Sequence, residues 1–352
     1  MNNTPAKQRI EYFDHLRLLA TFMVIVIHVS GPYWYTAEIS SPQWQILNLL
    51  ESLSRWSVPV FFMISGTLFL GSSRDIRVIL RKNLLRIVTA FLFWSAVYIG
   101  ICFGKGQYTP AEAFREFLAG YYHMWYLYAI AGLYLAVPIL RMVVQSRQTM
   151  HYFLAMAFLF GCLLPQGAIF LGLVSPEARN TAERLLSLLS FQSVCGYSLY
   201  FVLGYCLHSA DISPRNRKIL YSLGAVSLLA TVLLSGAASR ILGQPVHVFL
   251  EYMTPNVFFV SAAVFVFARY NFRYGRLSPA LVSLLQKLSV YSFGVYLVHP
   301  LLYDVLRYNL GVDLMACNPL ISVPAASLGL MVVSYGISAV LNRIPLLKKY
   351  IV

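Results

Sequence analysis

Ten apolar runs of helix length dominate this 352-residue sequence. They fall at about 16–35, 44–70, 86–103, 123–142, 150–173, 187–208, 219–238, 249–268, 288–306 and 320–342. A helix needs ~20 predominantly apolar residues to cross a bilayer. Hydrophobic residues make up 59% of the chain and charged residues 11%, which excludes a water-soluble domain of this size. The sequence therefore predicts an all-α, polytopic transmembrane helix bundle of about ten spans. Residues 1–352 are expected to form one integral-membrane domain with no fused soluble domain.

The distribution of charge predicts the orientation of these spans. If the first span starts in the cytoplasm, 20 of the 27 basic residues and 4 of the 13 acidic residues fall in inward-facing segments. Cytoplasmic loops of membrane proteins are enriched in Lys and Arg, so we expect both termini to be cytoplasmic. The net charge of +14 then reports topology and does not indicate a nucleic-acid partner. The five cysteines show no ligand spacing, which predicts neither disulfides nor a metal site.

The first apolar run carries two basic side chains, Arg17 and His28, on one helical face. At ~100° and ~1.5 Å per residue, a spacing of eleven positions separates them by about 20° around the helix and ~16 Å along it. A histidine at that depth usually faces a bundle interior or cavity and serves ion, proton or substrate chemistry. The structural alternative is a neutral His28 hydrogen-bonded to a neighbouring helix. The Ser30-Gly31-Pro32 tripeptide predicts a break in the helix just after His28.

Five stretches in order along the chain carry a resemblance to a known family. They are IEYFDHLRLLATFMVIVIHVS (10–30), SRWSVPVFFMISGTLFL (54–70), RKNLLRIVTAF (81–91), HMWYLYAIAGLYLAVPIL (123–140) and YSFGVYLVHPLL (291–302). Together they resemble the membrane-bound acyltransferase family 3, bacterial enzymes that O-acetylate surface polysaccharides. The fourth stretch is most similar to the single-domain branch that includes the enterobacterial common antigen O-acetyltransferase. One departure is that the family often has Arg-x-x-Arg entering the third helix, whereas Asn83 stands three positions before Arg86.

The resemblance implies an O-acyltransferase of the bacterial inner membrane. Its co-substrate would be cytosolic acetyl-CoA, with no permanently bound cofactor, and its acceptor a hydroxyl of a surface polysaccharide or lipid-linked glycan. Arg17 and His28 would form the catalytic pair, with His28 acting as a general base or as a transient acyl carrier. We expect Arg86, Lys82 and Arg81 to bind the phosphates of acyl-CoA. Membrane lipids are the other expected partners, and nucleic acid is not one.

Three residues are candidates for the acceptor side. His299 precedes Pro300, and its alternative role is to satisfy a backbone carbonyl that the proline frees. Glu251 is spaced i,i+4 from His247, and ordinary solvation at a helix end is its alternative. Trp125 begins a span, and its alternative role is that of an aromatic anchor at the membrane–water interface, which does not involve a substrate.

Other residues in the apolar runs are expected to have structural roles. Glu51 and Arg55 are spaced i,i+4 and are expected to neutralise one another. Pro59 and Ser65-Gly66 are expected to interrupt the second span, with close helix packing as the simplest use of the two small residues. His123 is expected to be solvated.

The alternative function is a transporter or flippase for an oligosaccharide or polyprenyl-linked sugar, which would also be aromatic-rich and polytopic with broken helices. No GxxxxGK[ST] motif occurs, so the sequence does not indicate direct use of ATP.

Overall fold

The computed structural model describes residues 9–172, 175–190, 195–275 and 277–352, and the regular structure in these ranges is entirely helical. The helices run in the following order: α1 (Glu11–Thr36), α2 (Pro42–Ser54), α3 (Ser57–Leu70), α4 (Ile76–Gly104), α5 (Pro110–Ala119), α6 (Trp125–Gln145), α7 (Arg147–Leu171), α8 (Pro176–Leu189), α9 (Ser198–Ser209), α10 (Pro214–Leu242), α11 (Pro255–Asn271), α12 (Pro279–Asn309), α13 (Pro319–Leu341) and α14 (Pro345–Tyr350). Single π-helical turns interrupt α4 and α7, and another ends α12.

Nine helical segments within the described ranges are long and apolar enough to cross a membrane, α2 and α3 together forming one of them. This confirms the predicted polytopic helix bundle. The expected sixth span, at 187–208, falls partly on residues 191–194, which lie outside the described residues. Its described parts are 187–190, at the end of α8, and 195–208, most of which belongs to α9 (Ser198–Ser209).

The predicted break after His28 is wrong, because α1 continues through Pro32 to Thr36. Pro32 has no N–H to donate to the carbonyl of His28, one turn earlier. Within the helix Ser30 turns its hydroxyl back to the carbonyl of Val26 at 2.7 Å. The proline thus removes one backbone hydrogen bond at His28 without ending the helix.

The second span is interrupted, but four residues before the expected proline. Arg55 and Trp56 separate α2 from α3, and Pro59 lies in the first turn of α3. A proline at 59 cannot donate to the carbonyl of Arg55, so the missing hydrogen bond falls at the junction. The second expected interruption, at Ser65-Gly66, is wrong, since α3 runs through both residues.

Two glycines allow α3 and α9 to pack backbone against backbone. A Cβ added to Gly66 would lie 1.8 Å from the carbonyl oxygen of Phe201. A Cβ added to Gly204 would lie 2.1 Å from the carbonyl oxygen of Met63. The predicted packing role of the small residues in α3 is therefore confirmed for Gly66.

α1 and α4 begin at the same end of the bundle, which we call the N-terminal end. The hydroxyl of Tyr12, in the first turn of α1, lies 2.7 Å from Nδ1 of His208 in the last turn of α9. Gly71, which follows α3 and precedes α4, lies against Tyr205 of the same helix. The first helix contacts α2, α3, α11, α12 and α13, so it lies inside the bundle. A polar face on α1 therefore faces protein.

Candidate active site

A cavity of about 370 Å³ lies between α1, α3, α4, α6 and α12. This volume is in the usual range for small-molecule sites. Its lining extends from Asn83 and Arg86, near the start of α4, to Trp125, at the start of α6. Because α4 and α6 are consecutive spans, the cavity reaches from the N-terminal end toward the opposite end of the bundle.

Arg17 and His28 both line this cavity, as their spacing predicts. Within the described residues, the Arg17 side chain makes one hydrogen bond, to the hydroxyl of Ser289 at 3.4 Å. Among the described residues no carboxylate lies within 4.0 Å of the Arg17 guanidinium. The nearest acid along the chain, Asp14, is bound by Arg9 at 2.6 Å. A cation held inside a helix bundle without a counterion favours an anionic ligand.

His28 is paired with a histidine 271 positions later in the chain. Its Nδ1 lies 2.6 Å from Nε2 of His299, and the planes of the two rings are nearly parallel, with centroids 4.9 Å apart. His299 is fully buried, and its own Nδ1 lies 3.0 Å from the carbonyl oxygen of Val295. Both ring nitrogens of His299 are therefore used within the protein, and as placed they offer none to an acceptor.

A tyrosine hydroxyl is inserted into the backbone hydrogen-bond ladder of α12 beside His299. The hydroxyl of Tyr98 donates to the carbonyl of Leu297 at 2.8 Å and accepts from the N–H of Leu301 at 3.1 Å. These two backbone groups would bond each other in a straight helix, but Pro300 lies between them. The hydroxyl therefore bridges these two backbone groups and fixes the turn that carries His299.

The prediction that His123 is solvated is wrong. Its side chain is 1% exposed and lines the cavity, with its ring centroid 6.2 Å from that of His28 and 6.0 Å from that of His299. Neither ring nitrogen has a hydrogen-bond partner within the described part of the chain. A buried imidazole that lacks partners in the protein is available to a ligand or water. The one feature of the sequence that indicates burial of His123 is its position within an aromatic run.

The three cations expected to bind acyl-CoA separate into two groups. Arg86 lines the cavity with Asn83, its guanidinium lies 5.1 Å from the centroid of the Phe293 ring, and it donates to the backbone oxygen of Val352. Its Nε is buried without a partner among the described residues. Arg81 and Lys82 are exposed and do not line the cavity. The cationic lining of this cavity is therefore Arg17 and Arg86.

The other acceptor-side candidates also differ in position. Trp125 lines the cavity and stacks on Tyr252 with centroids 5.6 Å apart. Glu251 is exposed, pairs with His247 at 3.4 Å and does not line the cavity.

The predicted ion pair of Glu51 and Arg55 is confirmed, and Glu51 also accepts from Ser30 at 2.6 Å.

A family model described as an acyltransferase domain matches residues 10–343. The chain belongs to acyltransferase family 3. It is a multi-pass membrane acyltransferase, with the cavity of Arg17 and His28 inside the matched region. Neither the curated proteins nor the solved structures contain a significant match to this acyltransferase.

Across the described ranges no group of three or more His, Cys, Asp or Glu side chains is arranged to hold a metal ion. The absence of a metal from the reaction stays a prediction.

Proposed function

We propose that this membrane acyltransferase moves an acetyl group from acetyl-CoA to a hydroxyl of a surface polysaccharide or lipid-linked glycan. The observation that carries the proposal is that Arg17 and His28 line one cavity, and that no carboxylate of the described residues lies within 4.0 Å of Arg17. A phosphate-rich head with a long thin reactive arm is complementary to a cation at one depth and a base ~16 Å farther along the helix.

The donor is proposed to enter from the N-terminal end. Arg86 and Arg17 lie on that part of the lining and would bind its phosphates by charge-assisted hydrogen bonds. We place this end in the cytoplasm of a bacterial inner membrane, which leaves both termini cytoplasmic. The excess of Lys and Arg in the loops of that end supports the orientation.

His28 is proposed to act at the thioester. As a general base, it takes the proton of the acceptor hydroxyl while the oxygen bonds to the thioester carbonyl carbon. The carbon–sulfur bond then breaks, and the proton passes from His28 to the departing CoA thiolate. As an acyl carrier, His28 would instead bond to the carbonyl carbon first and release CoA before the acceptor reacts.

The acceptor is proposed to approach from the opposite end, past Trp125 and Tyr252. Their stacked rings border the cavity there, and aromatic faces with a polar edge suit a sugar that presents both C–H and O–H groups. The branch that includes the enterobacterial common antigen O-acetyltransferase is the proposed subgroup.

The test uses purified protein and acetyl-CoA labelled in its acetyl group. The proposal expects release of CoA and, in cells that express the protein, surface glycans heavier by one acetyl group. The His28→Ala variant should insert into the membrane like the parent yet lose transfer. A transporter or flippase would leave acetyl-CoA intact, and that result would overturn the proposal.

A further inference from the structure

The hydrogen-bond chain through His299 determines which nitrogen of His28 carries a proton. The carbonyl oxygen of Val295 can only accept, so Nδ1 of His299, at 3.0 Å, must be the donor. His299 is fully buried, and no carboxylate lies within 4.0 Å of it among the described residues. Burial of an imidazole without a counterion disfavours its charged form. Nε2 of His299 is then an unprotonated acceptor.

The same reasoning extends to His28. Its Nδ1 lies 2.6 Å from the acceptor nitrogen of His299 and must therefore carry the hydrogen. A neutral imidazole has one protonated nitrogen, so Nε2 of His28 keeps a free lone pair. No group in the described part of the chain hydrogen-bonds to this Nε2, and His28 lines the cavity.

We propose that His299 is a positioning residue that holds His28 in the Nδ1–H tautomer and leaves Nε2 as the reactive nitrogen. This inference rests on the proposed function, and it assigns the chemistry to one atom of His28. The hydroxyl proton passes to Nε2 as the oxygen–carbon bond forms, and from Nε2 to the CoA sulfur as the carbon–sulfur bond breaks. His299 retains its own proton throughout and contacts neither substrate.

In this arrangement a base is oriented by a third group, as in other enzymes that use an activated base. The last member of the hydrogen-bond series is a backbone carbonyl and not a carboxylate. The Tyr98 hydroxyl, which bridges the carbonyl of Leu297 and the N–H of Leu301, fixes the helical turn that carries His299. Because His299 is used at both nitrogens, it can serve only one tautomer of His28.

Nitrogen-15 NMR of histidine-labelled protein in detergent tests the tautomer directly. His28 is identified by the signal that disappears in His28→Gln. The inference expects an unprotonated Nε2 and a protonated Nδ1 on His28 in the parent protein. A protonated Nε2 with an unprotonated Nδ1 would overturn it, whatever the activity.

Kinetics of matched variants test whether the tautomer matters. His299→Phe fills the space but offers no acceptor, and kcat should fall by about 10²–10⁴-fold, as when a catalytic histidine loses its orienting partner. The KM for acetyl-CoA should change by less than about threefold, because Arg17 and Arg86 are untouched. His299→Gln places an amide oxygen near the former Nε2 and should recover at least about tenfold in kcat over His299→Phe.

The control variant is His208→Gln. His208 also lies on a helix, but it hydrogen-bonds Tyr12 outside the cavity, so this variant should leave kcat near the parent value. Parent-like kcat in His299→Phe would overturn the positioning role. If His299→Phe does not fold, equal kcat in His299→Gln and in a non-accepting His299→Leu would do the same. Acetyl transfer that persists in His28→Ala would instead refute the proposed role of His28, and absence of acetyl transfer by the parent protein would refute the proposed function. The NMR result would still decide the tautomer in either case.

Discussion

Arg17 and His28 lie eleven residues apart on α1, and both side chains line one cavity inside the bundle. Val24 and Ile27 of the same helix line the wall between them. A single rigid helix therefore fixes the distance from cation to base at ~16 Å along its axis. The proposed catalytic geometry depends on helical periodicity and not on loop conformation.

Replacing Arg17 with Met should weaken acetyl-CoA binding and stabilise the fold. The side chain lacks a counterion within the described residues, so its removal relieves a desolvation penalty. We expect the KM for acetyl-CoA to rise about 10- to 100-fold, the equivalent of one charge-assisted hydrogen bond of ~1.5–3 kcal/mol. The free energy of unfolding should not fall, as measured by thermal unfolding in detergent.

Arg141 provides the matched control for that change. It donates to the carbonyls of Phe69 at 3.1 Å and Arg74 at 2.7 Å, so Arg141→Met should destabilise the fold and leave the KM alone. The two substitutions are thus expected to change the free energy of unfolding in opposite directions. A destabilised Arg17→Met with normal KM would show that Arg17 is structural.

Arg86 should matter more to the donor than Arg81 and Lys82 combined. Arg86 lines the cavity, whereas the other two are exposed, and exposed charges contribute little because water and salt screen them. Steady-state kinetics should give a KM for acetyl-CoA that is about tenfold higher in Arg86→Met, the loss of ~1.4 kcal/mol. The Arg81→Gln/Lys82→Gln double variant should show a smaller, salt-dependent effect. A larger effect in the double variant would contradict the placement of the phosphates.

His123→Phe should raise the melting temperature and lower kcat. Both ring nitrogens of His123 are buried without partners among the described residues, which costs roughly 1–3 kcal/mol for each unsatisfied group. A phenyl ring removes that cost but cannot hydrogen-bond a bound substrate. Thermal unfolding and single-turnover acetyl transfer are the two measurements. A normal kcat together with higher stability would show that His123 has no role in acetyl transfer.

Gly66→Ala and Gly204→Ala should each destabilise the bundle. Their added methyl groups would lie 1.8 Å and 2.1 Å from carbonyl oxygens of the facing helix, so α3 and α9 must separate. Overpacking of this kind costs about 1–3 kcal/mol or more. Gly132→Ala in α6 meets nothing within 4 Å and is the control, with a neutral or slightly higher melting temperature expected. Equal stability of all three variants would contradict the close approach.

The parts of the site that depend on periodicity were predictable from the sequence. Arg17 and His28 share a face because any helix returns to it after eleven residues. The ion pair of Glu51 and Arg55 follows from i,i+4 spacing in the same way. Hydropathy predicted the membrane spans because the bilayer requires one length of apolar helix.

Contacts between distant parts of the chain were not predictable from spacing. His299 reaches His28 across 271 positions, and no local pattern encodes that pairing. The burial of His123 depends on helices that pack around its loop. The helix through Pro32 was missed because a packed bundle can tolerate one lost backbone hydrogen bond, which local propensity penalises as a break.

Affinity labelling with bromoacetyl-CoA tests most directly whether one cavity joins the cationic end to His28. The reagent carries the CoA head, and its reactive carbon sits beside the thioester, so a nitrogen of His28 can displace bromide and form a stable bond. We predict that mass spectrometry will find the adduct on His28, that excess CoA will suppress it, and that Arg17→Met will slow it. Bromoacetamide, which lacks the CoA head, should label His28 far more slowly. Labelling that spares His28, or that proceeds equally well with bromoacetamide, would contradict the account.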